Sequence, residues 1–228
     1  MLELRDIRLT QGDFTLTADF TLPAGRRAAV IGPSGGGKST LLSVIAGFET
    51  PDYGRVLWQG ADLAGMSPGS RPVAVLFQDG NLFPHLDLRT NVALGIAPVA
   101  RPGAEALARA DAALARVGLE GLGGRYPGEV SGGQQGRAAL ARLTLTARPI
   151  VLMDEAFSAL GPALRAEMLD LVAKLLPEAT ILMVTHDPQD AKRFSTDTIF
   201  VENGSVVPPR PTAQLFAAPD ESLARYLD

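Results

Sequence analysis

Apolar and polar residues alternate along Leu2 to Leu9 and again along Phe14 to Leu22, with Gln11-Gly12-Asp13 between the two runs. A period of two puts every second side chain on one face, so these runs predict an antiparallel pair with one buried side. Val56 to Gly60 is expected to join the same sheet. Other segments are apolar throughout: Ala28 to Ile31, Val73 to Phe77, Ile150 to Met153 and Ile181 to Val184. Short unbroken runs suit parallel strands covered on both faces. Helical spacing lies between them. It covers Ser39 to Ala46, and also Pro162 to Leu176, where proline opens the first turn and Leu164, Met168, Leu171 and Leu175 recur on one side.

From about Asn81 to Leu145 the strand pattern stops. The alanine-rich run Ala104 to Val117, closed by Gly118, predicts a helix entered through the loop Ala97 to Gly103, and Gln135 to Leu145 predicts another. Asn203-Gly204, flanked by Ile199-Phe200-Val201 and Val206-Val207, marks a hairpin turn, and the tail from Pro208 is proline-rich, then weakly helical. This order of elements predicts an α/β fold with a mixed, largely parallel core sheet, an N-terminal antiparallel β subdomain and an inserted α-helical subdomain. Ligands are expected at the carboxyl ends of the parallel strands.

Composition narrows the function classes. The chain has 228 residues, enough for one domain with an insertion, and 46% hydrophobic content argues against disorder. A net charge of -4 supplies no overall cationic field, so no nucleic-acid partner is expected. The absence of cysteine excludes disulfides and thiolate metal sites, and suits the cytoplasm. Charges interrupt Met1 to Asp6 and no stretch is long enough to span a bilayer, which predicts a soluble or peripheral chain.

Gly32-Pro33-Ser34-Gly35-Gly36-Gly37-Lys38-Ser39-Thr40 matches G-x-x-x-x-G-K-S between an apolar strand and a helix. In that context backbone N–H groups cradle phosphates, Lys38 neutralises the β and γ oxygens, and the Ser39 hydroxyl is offered to Mg²⁺. Asp154-Glu155 ends the apolar strand Ile150 to Met153. Asp154 is the candidate for holding Mg²⁺ through its water shell and Glu155 for polarising the attacking water; a solvated acidic loop is the alternative. His186 follows Ile181 to Val184 and is expected to reach the same crevice, where it can donate a hydrogen bond to a γ-phosphate, or to be an ordinary loop histidine. Gln78 follows Val73 to Phe77 and stands evenly between binding Mg²⁺ or water and an ordinary loop role. His85 has no strand end before it, and Asp87 and Asp170 lack a preceding apolar run, so all three are assigned no role. Leu82, Phe83 and Leu86 either receive a helix of another protein or belong to the helical core. Ser131-Gly132-Gly133-Gln134, two glycines before a helix, is a second phosphate-binding device without an obvious phosphate of its own.

The order glycine loop, Gln78, Ser131 to Gln134, Asp154-Glu155, His186 closely resembles the ATP-binding subunits of ABC transporters, over essentially the whole chain. The resemblance implies a P-loop ATPase with a nucleotide-binding core over 1–80 and 146–228, a helical subdomain over 81–145, and no C-terminal regulatory domain. It implies ATP and Mg²⁺, with Ser39, Gln78 and Asp154 at the metal and Glu155, His186 and Gln78 in catalysis. It also implies a homodimer around two ATP molecules in which Ser131, Gly132, Gly133 and Gln134 face the partner's nucleotide. A membrane-spanning permease, indirectly a periplasmic solute-binding protein, and the cytoplasmic face of the inner membrane follow from the same likeness.

Arg71-Pro72-Val73, Leu76-Phe77-Gln78, Asn81-Leu82-Phe83, His85-Leu86, Leu94-Gly95 and Phe157-Ser158-Ala159-Leu160 with Pro162 to Arg165 look like the thiamine importer ATPases of bacteria. An importer ATPase for another small solute, a weakly hydrolysing regulatory ABC protein, and an ABC ATPase of DNA repair or translation are the alternatives. The last usually carries a coiled-coil insertion or two fused halves. Several positions depart from the family pattern: Val130 for leucine, Gln135-Gly136-Arg137 for Arg-Gln-Arg, Ala156 for proline, Gly161 for an aspartate that crosses the dimer interface, and Gln11 for the aromatic that stacks on adenine, with Phe14 the nearby substitute.

Overall fold

Alternation along the first two strands has the expected result: Leu2–Gln11 and Phe14–Leu22 pair antiparallel, with Leu2, Leu4, Leu16, Ala18 and Leu22 buried on one side. The computed structural model describes residues 1–77, 80–99 and 101–227, in two compact units. The first comprises Met1–Val73, Pro149–Glu155 and Glu178–Asp228, and the second Ala74–Arg148 and Ala156–Pro177.

In the first unit Tyr53–Trp58 joins the free edge of Leu2–Gln11, and Ala61–Asp62 extends it. Strands apolar along most of their length form a parallel set in the order Asp197–Glu202, Arg27–Ile31, Thr180–Val184, Ile150–Asp154. Apart from residues at the strand ends they are buried along their length, as strands covered on both faces must be. A two-residue strand, Ser205–Val206, runs parallel to Phe14–Leu22 and antiparallel to Asp197–Glu202, and so stitches the two kinds of sheet together. Asn203 and Gly204, at φ 48° and 77°, make the turn that brings it back.

Helix Lys38–Ala46 packs against Ile150–Asp154 and Thr180–Val184. Helices Pro188–Phe194, Thr212–Ala217 and Glu221–Leu227 gather around Ala29, Ile31 and Phe200 through Ala191, Leu215 and Leu223. The buried Arg71 guanidinium donates to the carbonyls of Val44 and Ile45, capping the C-terminal end of Lys38–Ala46 where the helix dipole favours a cation.

The second unit is built on helices Leu88–Ala93, Ala104–Arg116, Gly132–Leu145 and Pro162–Leu175. Its core is Leu88, Val92, Leu114, Val117, Leu119 and several alanines, whose small side chains let the helices approach closely. Gly118, at φ 75°, ends Ala104–Arg116, and the Leu119 N–H bonds back to the Leu114 carbonyl in a Schellman closure. Pro162–Leu175, which the sequence places with the nucleotide-binding core, belongs to this second unit. Leu82 packs against the helical core, as one of the two readings expects, while Phe83 is 46% exposed. Asp87 has a role that its isolation in the sequence hides: its carboxylate caps Leu88–Ala93 by accepting from the Thr90 N–H at 2.7 Å. Asn91, fully buried, fixes the preceding turn by accepting from the Phe83 N–H and donating to the carbonyls of Phe83, Leu86 and Asp87.

Candidate active site

Parallel register brings the chemistry of the first unit to one edge. Val30 and Asp154 both lie level with Val184. The residues that follow these strands, Gly32 to Gly37, Glu155 and His186, therefore leave the sheet on the same side. A cleft of about 480 Å³ opens there, lined by Gln11, Phe14, Ser34, Gly35, Lys38, Ser39, Thr40 and Glu155 among others.

Close approach explains Gly32 and Gly37 of the loop. Gly32 sits at φ 143°, and a Cβ there would lie 2.0 Å from the Val201 carbonyl oxygen. Gly37, at φ 108°, is the N-cap of Lys38–Ala46, and a Cβ on it would lie 2.8 Å from the Phe14 ring. That N-terminus has neither a side-chain cap nor an acidic residue in its first turn, an arrangement that leaves its dipole and amides for an anion. The Lys38 ammonium is buried and donates to the carbonyls of Gly32 and Pro33, both at 2.8 Å. Burial holds its pKa below the usual lysine range, against the opposing pull of Glu155 and Asp154.

Ser39 Oγ donates to Asp154 Oδ1 at 3.0 Å. Burial raises the Asp154 pKa, partly offset by the Ser39 hydrogen bond, and Glu155 raises it further while Lys38 lowers it. A half-buried carboxylate short of positive charge, beside a hydroxyl, is a set of hard oxygen donors that fits Mg²⁺. Glu155 stands at φ 49°, a left-handed conformation that costs a side-chain-bearing residue of order 1–3 kcal/mol, and its N–H donates to the Val184 carbonyl. Its Oε2 lies 4.0 Å from His186 Nδ1, beyond direct hydrogen bonding and within reach of one bridging molecule. Thr185 Oγ1 accepts from the Asp187 N–H at 3.0 Å, bracketing His186, whose own ring is exposed. Gln78 lies outside the described residues.

In the second unit Ser131 is the N-cap of Gly132–Leu145, so Gly132, Gly133 and Gln134 form the first helical turn, three residues earlier than the helix expected from Gln135. Ser131 Oγ accepts from the Gln134 N–H and Gln134 Oε1 accepts from the Ser131 N–H, a reciprocal capping box. The amides of Gly132 and Gly133 have no intrahelical acceptor in that turn. A Cβ on Gly132 would meet nothing within 4 Å, whereas one on Gly133 would lie 2.8 Å from Leu164, so only the first glycine faces open space.

Of the departures noted in the sequence, Gln135 has a local explanation. Gln135 Nε2 donates to the carbonyls of Pro127 and Val130 and ties the helix to the turn before it. Arg137 donates to the Val117 carbonyl and pairs with Glu167. Gly136 borders a 300 Å³ pocket with Phe77, Ala139, Phe157 and Leu160, and a Cβ on it would touch Phe157 at 3.5 Å, an ordinary contact. Gly136→Ala is therefore expected to stabilise the protein by up to about 1 kcal/mol, read as a raised denaturant midpoint with unchanged slope. A lowered midpoint would show that Phe157 cannot accept the methyl. Gly161, at φ −61°, is the N-cap of Pro162–Leu175, offers no side-chain cap and has open space around its Cβ position.

Two side chains that the sequence did not single out act on these elements. Arg142 donates to the carbonyls of Gly80 and Asn81, immediately after Gln78 and Asp79. Tyr226 donates to the His186 carbonyl from the C-terminal helix. Neither is framed by a motif, and their partners lie about 60 and 40 positions away.

Fold and site together define a P-loop nucleoside triphosphatase with a mixed sheet. A family model for the ABC transporter matches residues 16–158, and the chain belongs to that family as an ATPase. The thiamine import ATP-binding protein ThiQ of Cereibacter sphaeroides is 61% identical over 229 residues, covering 100% of this chain and 99% of the relative. Its counterpart in Ruegeria sp. is 52% identical with the same coverage. Among solved structures, a dimeric post-hydrolysis state of the ATP-binding cassette MJ0796, bound to ADP and Pi, superposes with a TM-score of 0.76 at 29% identity, covering 93% of this chain and 99% of that one.

Proposed function

We propose that this chain is the ATP-hydrolysing subunit of a thiamine importer, working as a homodimer on the cytoplasmic face of the inner membrane against a separate permease. The observation that carries the ATPase chemistry is the convergence of Lys38, Ser39, Asp154, Glu155 and His186 at one sheet edge. The 61% identity to a thiamine import protein along the full length supports the solute. None of the described helices is long and apolar enough to cross a membrane, consistent with a peripheral role.

The β- and γ-phosphates of ATP rest on the amides of Gly35 to Lys38, with Lys38 turned from the loop carbonyls to their oxygens and Phe14 giving the cleft an apolar face. Ser39 Oγ and Asp154, together with Gln78, would hold Mg²⁺, which would supply neutralising charge to the phosphate oxygens. Glu155 orients a water and accepts its proton as the water oxygen bonds to the γ-phosphorus. The bond from that phosphorus to the β–γ bridging oxygen breaks, leaving ADP and phosphate. His186 donates to the γ-phosphate. Ser131 to Gln134 close over the nucleotide of the opposite subunit, with the exposed Gly132 making the nearest approach. Closure on two ATP and opening after hydrolysis drive the permease.

Copurification of the membrane subunit and reconstitution into vesicles test the reading. ATP-dependent uptake of thiamine that competing solutes do not abolish is the expected result. Uptake of another solute instead removes thiamine and leaves the ATPase.

A further inference from the structure

The C-terminal helix Glu221–Leu227 is anchored beside the nucleotide cleft. Ser222 Oγ donates to Glu202 Oε2 at 2.5 Å, and Leu223 enters the cluster around Ala29, Ile31 and Phe200. These contacts fix the ring of Tyr226, which stacks at a tilt on Phe200 with centroids 5.9 Å apart. From there the phenol hydroxyl donates to the His186 carbonyl at 3.4 Å. One hydroxyl of the C-terminal helix thus touches the main chain of the histidine.

The His186 side chain has no comparably short hold. Its nearest acidic partner is Glu155 at 4.0 Å, and the ring is 59% exposed. Its position is set by its backbone, through the Asp187 N–H to Thr185 Oγ1 on one side and the Tyr226 hydroxyl on the other. A group that must meet a phosphate oxygen loses much of its effect when displaced by about 1 Å. A hydrogen bond to the carbonyl of that residue is therefore a means of aiming it.

We propose that Tyr226 is a positioning residue for His186, its hydroxyl donating to the His186 carbonyl so that the histidine is held in place at the sheet edge. The proposal rests on the reading of His186 given above. Tyr226→Phe removes the oxygen and keeps the ring on Phe200. Loss of one neutral hydrogen bond is expected to lower kcat for ATP about fivefold. KM should change less than about twofold, because Lys38 and the loop amides carry binding.

The test is ATPase kinetics of the full chain for wild type, Tyr226→Phe, His186→Ala and the double variant, with hydrogen–deuterium exchange over residues 184–190. Expected results are reduced kcat and faster exchange in Tyr226→Phe, an unchanged Tm, and no further kcat loss from Tyr226→Phe when His186 is already alanine. An equal proportional loss in both backgrounds, or turnover and exchange at wild-type levels in Tyr226→Phe while His186→Ala is impaired, overturns the positioning role alone. Wild-type turnover in His186→Ala overturns the reading of the histidine and this proposal with it.

Discussion

Replacing Glu155 by glutamine is expected to slow ATP turnover by about 10²- to 10⁴-fold while ATP still binds. The effect is specific because the substitution keeps the volume and the backbone of a residue held at φ 49°, with its N–H on the Val184 carbonyl. Only the proton acceptor is lost. The Ser39 to Asp154 contact and the Lys38 seat on the loop stay in place, since neither uses the Glu155 side chain as a hydrogen-bond partner. Single-turnover hydrolysis and calorimetric binding separate the two quantities. Unchanged turnover removes Glu155 from the chemistry, and lost binding shows that its charge serves the nucleotide's seat instead.

Lys38→Ala has the second large effect, on affinity. A charge-assisted hydrogen bond to phosphate contributes roughly 1.5–3 kcal/mol, which corresponds to about a 10- to 150-fold weaker Kd. The ammonium is buried below the loop and its pKa is lowered by that burial. Its retention so near the cleft has a structural cost that a phosphate partner offsets. Truncation also leaves the Gly32 and Pro33 carbonyls without this donor, so Tm is measured alongside. ATP affinity equal to wild type contradicts the loop's assignment as the phosphate seat.

Local signals carried far in this sequence. The phosphate loop is read from spacing alone because its geometry is enforced within nine residues, by glycines whose added Cβ atoms would strike Val201 or Phe14. The apolar strands told where Asp154 and His186 emerge, since parallel register then brings their ends to one edge. Long-range side-chain bonds were invisible. Asn91 looks like any helical asparagine until it closes on Phe83 to Asp87, and Arg142 like a surface cation until it holds Gly80 and Asn81. The weakly helical tail gave no hint that Tyr226 would meet His186, because that contact depends on where the whole sheet places both. Helix Gly132–Leu145 starts earlier than propensity suggests because the Ser131 capping box outweighs two glycines in its first turn.

Ser131 to Gln134 and the phosphate loop belong to different units, and in the proposed dimer each tetrapeptide meets a phosphate on the opposite subunit. Sedimentation of Glu155→Gln with Mg²⁺ and ATP tests that claim directly. A dimer that appears only with ATP, contains one ATP per chain and is lost on adding Gly132→Glu is the predicted result. A protein that binds ATP yet stays monomeric at every concentration contradicts it.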